Sequence, residues 1–163
     1  MAESAEDKNK EILDSFETLR NDEKIELLAS LILKLRGKSS KDIPVSIFDN
    51  DKLSIFESVA KYMHENLKLK FVAIASMLNR SDKTIWTTYS KSRKKMPESF
   101  SSVSSDINVP IEKFSDRTFT VFECLVAYLK DSGLANHEIA VMLHRDDRTI
   151  WSVYDRAKKK AKK

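Results

Sequence analysis

The side chains with chemical reach in this sequence are cations set among short hydroxyls, and they occur twice at nearly the same spacing. One set is Arg80, Asp82, Lys83, Thr84, Thr87, Lys91 and Lys94; the other is Arg145, Asp147, Arg148, Thr149, Ser152, Arg156 and Lys159. Long cations reach phosphates and guanine edges while Thr and Ser permit close approach, a combination suited to a nucleic-acid groove. The groups an enzyme needs do not converge. Only three histidines occur, His64, His137 and His144, at no spacing that suggests a metal site, and there is no glycine-rich phosphate loop. The single cysteine, Cys124, lies between Phe122 and Leu125 in apolar sequence. It reads as a buried thiol rather than a nucleophile, excludes an intramolecular disulfide and fits a reducing compartment. The expectation is a protein that is not an enzyme and takes no cofactor or metal.

The elements that must position these side chains are duplicated. Residues 74–95 and 139–160 are identical at 12 of 22 positions. The match extends upstream, where Ile55-Phe56-Glu57 answers Val121-Phe122-Glu123, Tyr62 answers Tyr128, and short extended segments from Ile43 and Ile107 occupy matching places. Two glycines and three prolines among 163 residues, with 33% charged residues, favour helices joined by short polar turns. The spacing predicts three helices per copy. In copy one, Asn50 or Asp51 caps a helix with the stripe Leu53, Phe56, Val59, Ala60, Met63 and Leu67. A short helix over 70–78 buries Phe71, Ile74, Ala75 and Leu78. A turn at Asn79, Arg80 and Ser81 then leads into a third helix capped by Ser81 or Asp82. Copy two repeats the plan with Phe119, Phe122, Leu125, Val126 and Leu129, then Ile139, Ala140, Met142 and Leu143, then a turn at His144, Arg145 and Asp146; Gly133 enters its first turn. At 100° per residue the third helix puts Ile85, Thr88, Tyr89 and Ser92 inward and the basic side chains outward, with Ile150, Val153, Tyr154 and Ala157 inward in copy two. Trp86 and Trp151 fall between the two faces, where they are expected to shield the edge of each core.

The stretch Arg145-Asp146-Asp147-Arg148-Thr149-Ile150, preceded by residues 133–143, resembles the opening of the recognition helix in the C-terminal DNA-binding domain of the bacterial replication initiator DnaA. It is also similar to region four of sigma factors and to the Trp repressor, with 156–160 matching the basic close of that helix. The resemblance covers about 55 residues per copy. It implies helix-turn-helix units with Arg145, Asp147, Arg148 and Thr149 at the DNA, and Arg80, Asp82, Lys83 and Thr84 equivalent in copy one. The family's His and first Thr are replaced here by Asp147 and Arg148.

The chain outside the repeats is of a different kind. The first 30 residues hold nine acids against four bases, so all of the net +4 and more resides in the remainder, clustered at 91–95 and 158–163. Such clusters attract polyanions without sequence preference. Residues 5–36 read as a helical hairpin, with Ile12, Leu13, Phe16 and Leu19 on one helix, Ile25, Leu28, Leu31, Ile32 and Leu35 on the next, Asp22 as its cap and Gly37 as its stop. A hairpin of this kind packs on the first repeat or forms a homodimer. Residues 96–106, with five serines, read as a flexible tether that lets the copies reach successive major grooves.

The expected organisation is all-α: an N-terminal helical segment over 1–40, helix-turn-helix repeats over 43–95 and 107–160 joined by the linker 96–106, and a basic tail over 161–163. No apolar run is long enough to cross a bilayer and the start lacks a signal-peptide pattern, so the expected place is the cytoplasm, at the nucleoid, without membrane contact. The expected function is double-stranded DNA binding by a transcriptional regulator. An adaptor docking on RNA polymerase, another regulator or replication machinery, and a sequence-tolerant nucleoid-architecture protein, stand as alternatives.

Overall fold

The structure, a computed structural model, describes residues 10, 14–36, 42–101, 103 and 105–162, apart from the side chains of 29–36. It is predominantly helical, with one two-stranded ribbon, and divides into two units, Met1–Ser39 and Ser40–Lys163. In the first unit a helical turn over 14–17 breaks before α1 (Asn21–Arg36). The break covers 18–20, whereas the hairpin turn was expected at Arg20-Asn21-Asp22, of which Asn21 and Asp22 already belong to the helix. The carboxylate of Glu23, rather than Asp22, reaches back to the Arg20 backbone N–H (3.0 Å). Ile25 and Leu28, from the expected apolar stripe, are exposed. Ile12, Leu13 and Gly37 lie outside the described residues, as do the side chains of Leu31, Ile32 and Leu35.

In the second unit each copy starts with a two-residue strand, β1 (Ile43–Pro44) or β2 (Asn108–Val109), and a short 3₁₀ turn (Val45–Phe48 or Ile111–Phe114). Three helices follow in each: α2 (Ile55–Glu65), α3 (Phe71–Met77) and α4 (Asp82–Lys95); then α5 (Val121–Asp131), α6 (Asn136–Met142) and α7 (Asp147–Ala161). The starts of α2 and α5 are set by a reciprocal cap. Ser54 and Thr120 accept from the N–H of Glu57 and Glu123, whose carboxylates accept from the capping residue's own N–H. Asn50 therefore does not cap α2; its side chain holds the Leu53 N–H and the Ile47 carbonyl (both 2.8 Å) in the loop before it. Both short helices leave through a left-handed residue, Asn79 (φ 50°) and His144 (φ 51°). Gly133 (φ 91°) turns the chain after α5, and Lys68 (φ 57°) takes the corresponding place in copy one.

The same two glutamates tie the last helix of each copy to its first. Lys95 Nζ lies 2.8 Å from the buried Glu57 carboxylate and Lys160 Nζ lies 2.7 Å from that of Glu123. Burial works against the charged carboxyls, but the lysine ammonium and the capping N–H groups outweigh it and hold both below the ordinary value of 4.5. A carboxyl whose folded value is depressed stabilises the fold above its unfolded value and ceases to do so as pH falls through the folded one. Urea midpoints should therefore stay level at mildly acidic pH and fall once pH drops below about 4.5, with the fall reduced in Glu57→Gln/Glu123→Gln. An equal fall in that variant would assign acid sensitivity elsewhere.

The two copies form one body rather than two tethered ones. One apolar core runs through both, from Ile43, Val59, Ile74 and Ile85 to Val109, Leu125, Ile139 and Ile150. The strands pair antiparallel, with Ile43 opposite Val109 and Pro44 opposite Asn108. Ile43 and Val109 are equivalent residues of the two copies, because each stands two before the first residue of its 3₁₀ turn. An approximate two-fold axis therefore passes between them. Four further equivalent pairs, Ser54/Thr120, Ile55/Val121, Phe56/Phe122 and Arg80/Arg145, line a single cleft. The expected tether is corrected accordingly. Phe100 and Val103 pack against the core, the Asn66 side chain donates to the Phe100 carbonyl (3.0 Å), and Ser99 donates to Glu65 (2.8 Å).

Candidate nucleic-acid interface

The third helix of each copy is pinned by an apolar side and presents a basic one. Ile85 and Ser92 are buried in α4, with Thr88 and Tyr89 half-buried; Ile150, Val153 and Ala157 are buried in α7, with Tyr154 half-buried. The helices begin with Ser81 Oγ accepting the Thr84 N–H (3.2 Å) and Asp146 accepting the Arg148 N–H (2.8 Å). Asp82 and Asp147 are consequently first-turn residues, not caps. Asp147 lies 3.2 Å from His137 Nδ1, and the Thr84 hydroxyl is 2.8 Å from that of Ser81.

The outward cations differ in how far they are committed. Lys83, Lys91, Lys94 and Arg148 are exposed and have no ion-pair partner among the described residues. Lys159 is 2.7 Å from Asp155, whose carboxyl it holds below the ordinary range, and Arg156 is 3.8 Å from Glu123. The Lys159–Asp155 pair is of the exposed kind that contributes little and exchanges readily for a phosphate. Thr149 is exposed and Thr87 half-buried, while the Ser152 hydroxyl is turned back to the Arg148 carbonyl (2.8 Å). Lys95 and Lys160, at the C-terminal ends of the same helices, serve Glu57 and Glu123 instead.

The two turn arginines do not extend this face. Arg145 crosses to the other copy, where its guanidinium donates to the carbonyls of Asn50 and Leu53 (both 3.0 Å). Arg80 stands close enough to Asp116, the equivalent of Asn50, for its charge to help hold that carboxyl down behind the larger effect of the Thr118 N–H. Arg145 thus clasps the opposite copy, a structural engagement beside its expected place at the DNA, while the guanidinium of Arg80 donates to the Asn79 carbonyl of its own copy (3.2 Å). Two charge-assisted hydrogen bonds to buried-end carbonyls make Arg145→Ala a stability variant, costing about 2–3 kcal/mol. Chemical denaturation should show that loss with or without nucleic acid.

A second correction concerns the tryptophans. Trp86 and Trp151 are 57% and 61% exposed, because Ile85 and Ile150 already fill the core at that level. Each indole stands on the same helix as the free cations, with Val72 and Val141 also exposed on the preceding helices. Only their position between faces hinted at this. Among the described residues no group of side chains is arranged to hold a metal ion, and no helix is long and apolar enough to cross a membrane. No protein family, curated protein or solved structure matches this chain.

Proposed function

We propose that this protein binds double-stranded DNA as a regulator, with α2–α4 and α5–α7 acting as two helix-turn-helix units and α4 and α7 as the reading helices. The observation that carries the reading is the duplicated exposed face of Lys83, Lys91 and Lys94 on α4 and Arg148, Thr149, Arg156 and Lys159 on α7, each fixed to a rigid core by a buried isoleucine. Short first-turn hydroxyls and a basic C-terminal half match a helix that enters a groove at its start and meets phosphates along its length. The shared core adds a consequence. Two readers related by an approximate two-fold axis demand a target with the same symmetry, an inverted repeat whose half-sites differ where Lys83 in one copy corresponds to Arg148 in the other and Ser90 to Asp155. Their spacing is set by the core, not by a tether.

Selection of duplexes from a random pool at about 150 mM salt tests this. Recovery of an inverted pair of related half-sites supports a site-specific regulator, and recovery without a motif supports a nucleoid-architecture role. The exposed indoles favour a second reading, an adaptor that docks on RNA polymerase or another regulator through Trp86 and Trp151, since aromatic side chains are enriched at the centre of protein interfaces. That reading predicts no duplex binding at any salt, whereas a reader loses affinity with a log–log slope near −0.9 per phosphate contact. Homodimerisation through α1 is a further proposal, supported by its exposed Ile25 and Leu28.

A further inference from the structure

The two copies differ at one place in a way that describes a ligand. In copy one, the side chain of Lys61 on α2 is fully buried with its ammonium 2.9 Å from Glu65. Glu65 also accepts from the hydroxyls of Tyr89 (3.1 Å) and Ser99 (2.8 Å) and pairs with Arg93 (3.4 Å). Phe100 follows over the same end of the helix, fixed by Asn66. In copy two the residue equivalent to Lys61 is Ala127, and the equivalents of Glu65, Tyr89 and Arg93 are Asp131, Tyr154 and Lys158. A cavity of about 400 Å³ opens there, lined among others by Ala127, Tyr128, Asp131, Tyr154, Ala157 and Lys158.

From this comparison we infer that the cavity against α5 and α7 binds the side chain of a lysine presented by a partner polypeptide, in the place that Lys61 occupies in copy one. The space left by Ala127 is the space of an aliphatic stem. Its lining includes Tyr128, Tyr154, Ala127 and Ala157, side chains whose rings and methyl groups suit methylenes. The charged end meets Asp131, which is exposed and has no hydrogen-bond or ion-pair partner among the described residues. Lys158 does not take that role, since its ammonium sits over the Tyr154 ring, 4.8 Å from the centroid. Of the other charged residues in the lining, Glu112 and Asp116 are acidic and Lys113 is basic. A polypeptide is favoured over a free amine because in copy one a stretch of chain completes the site: the Ser99 hydroxyl donates to the carboxylate that binds the ammonium, and the next residue, Phe100, is held through its carbonyl by Asn66. Neither Lys83 nor Arg148 lines the site, so the inference does not rest on duplex binding.

The test is an NMR titration of the full chain with Nα-acetyl-lysine N-methylamide, its norleucine analogue and cadaverine, following the amides of Ala127, Asp131 and Ala157. Saturable shifts with the lysine compound, at least tenfold weaker binding of norleucine, and a tenfold loss in Asp131→Asn are expected. Ala127→Lys fills the site from within; it should keep or raise the melting temperature and abolish the lysine-induced shifts. Absence of saturable shifts, equal shifts from norleucine, or a melting temperature several degrees lower in Ala127→Lys would overturn the inference. Cadaverine binding tenfold tighter than the lysine compound would overturn the polypeptide source and leave a free diamine as the ligand.

Discussion

Replacing Glu65 by leucine is expected to cost about 3–5 kcal/mol of unfolding free energy, the cost of leaving a buried charge unpaired. The Lys61 side chain is fully buried and its ammonium has Glu65 as its partner. Removing the carboxylate also strands the hydroxyls of Tyr89 and Ser99, although Ser99, near the surface, recovers water. Urea unfolding measures the effect, and the double variant Lys61→Met/Glu65→Leu isolates its cause. With both charges gone the site becomes an apolar contact of similar volume, so most of the loss should be recovered. The equivalent change in copy two, Asp131→Leu, serves as an internal control. Asp131 is exposed and faces Ala127 rather than a buried lysine, so the expected change is within about 0.5 kcal/mol. A Glu65→Leu loss below about 1 kcal/mol would mean that the Lys61 ammonium escapes to water at no cost, contrary to its observed burial.

Alanine at Arg148 is expected to weaken duplex binding by about 1–3 kcal/mol, roughly fivefold to more than a hundredfold in Kd, and to relax preference at one base pair. Arg148 lies in the first turn of α7, is exposed, and is held by no carboxylate among the described residues. Alanine at Lys83, Lys91 and Lys94 together should act differently. Cations placed along α4 that meet phosphates carry no sequence information, so affinity should drop alike for every duplex and the log–log salt slope should become shallower by about 2–3. Neither variant touches the core, and both should unfold within about 0.5 kcal/mol of the parent. Titrations of a selected and a scrambled duplex at several salt concentrations distinguish the two behaviours. Unchanged binding in both variants would remove α4 and α7 as the interface and return attention to Trp86 and Trp151.

The helices were largely legible because the signals that make them are local. The spacing of Val59, Ala60 and Met63, or of Ile139, Ala140 and Leu143, reports a buried stripe within a few turns, and all six are buried. Caps were legible only to within a few residues. Asn50, Asp51 and Ser54 are all good capping types, and the choice of Ser54 rests on Glu57 standing three residues on with a carboxylate free to reach back. The candidate site was legible in part. Exposure of Lys83, Arg148, Lys91 and Lys94 follows from their side of the helix, whereas Arg145 has an ordinary turn position, and no feature within its own copy shows that Asn50 and Leu53 lie beyond it.

By itself, the amino-acid sequence determined that this protein is a duplicated helical unit with a basic third helix, since repetition, periodicity and charge are properties of residues close together in the chain. Only the tertiary structure decided how the copies meet. Pairing of Ile43 with Val109 creates an approximate dyad, Arg145 reaches across to the other copy, and the two cores merge into one. It also decided that Lys61, whose type reads as surface, is buried beside Glu65 while Ala127 at the same place lines a cavity. The physical reason is common to all of these. Which surface covers which depends on contacts between residues from 34 to 95 apart in the chain, and local propensity carries no record of them.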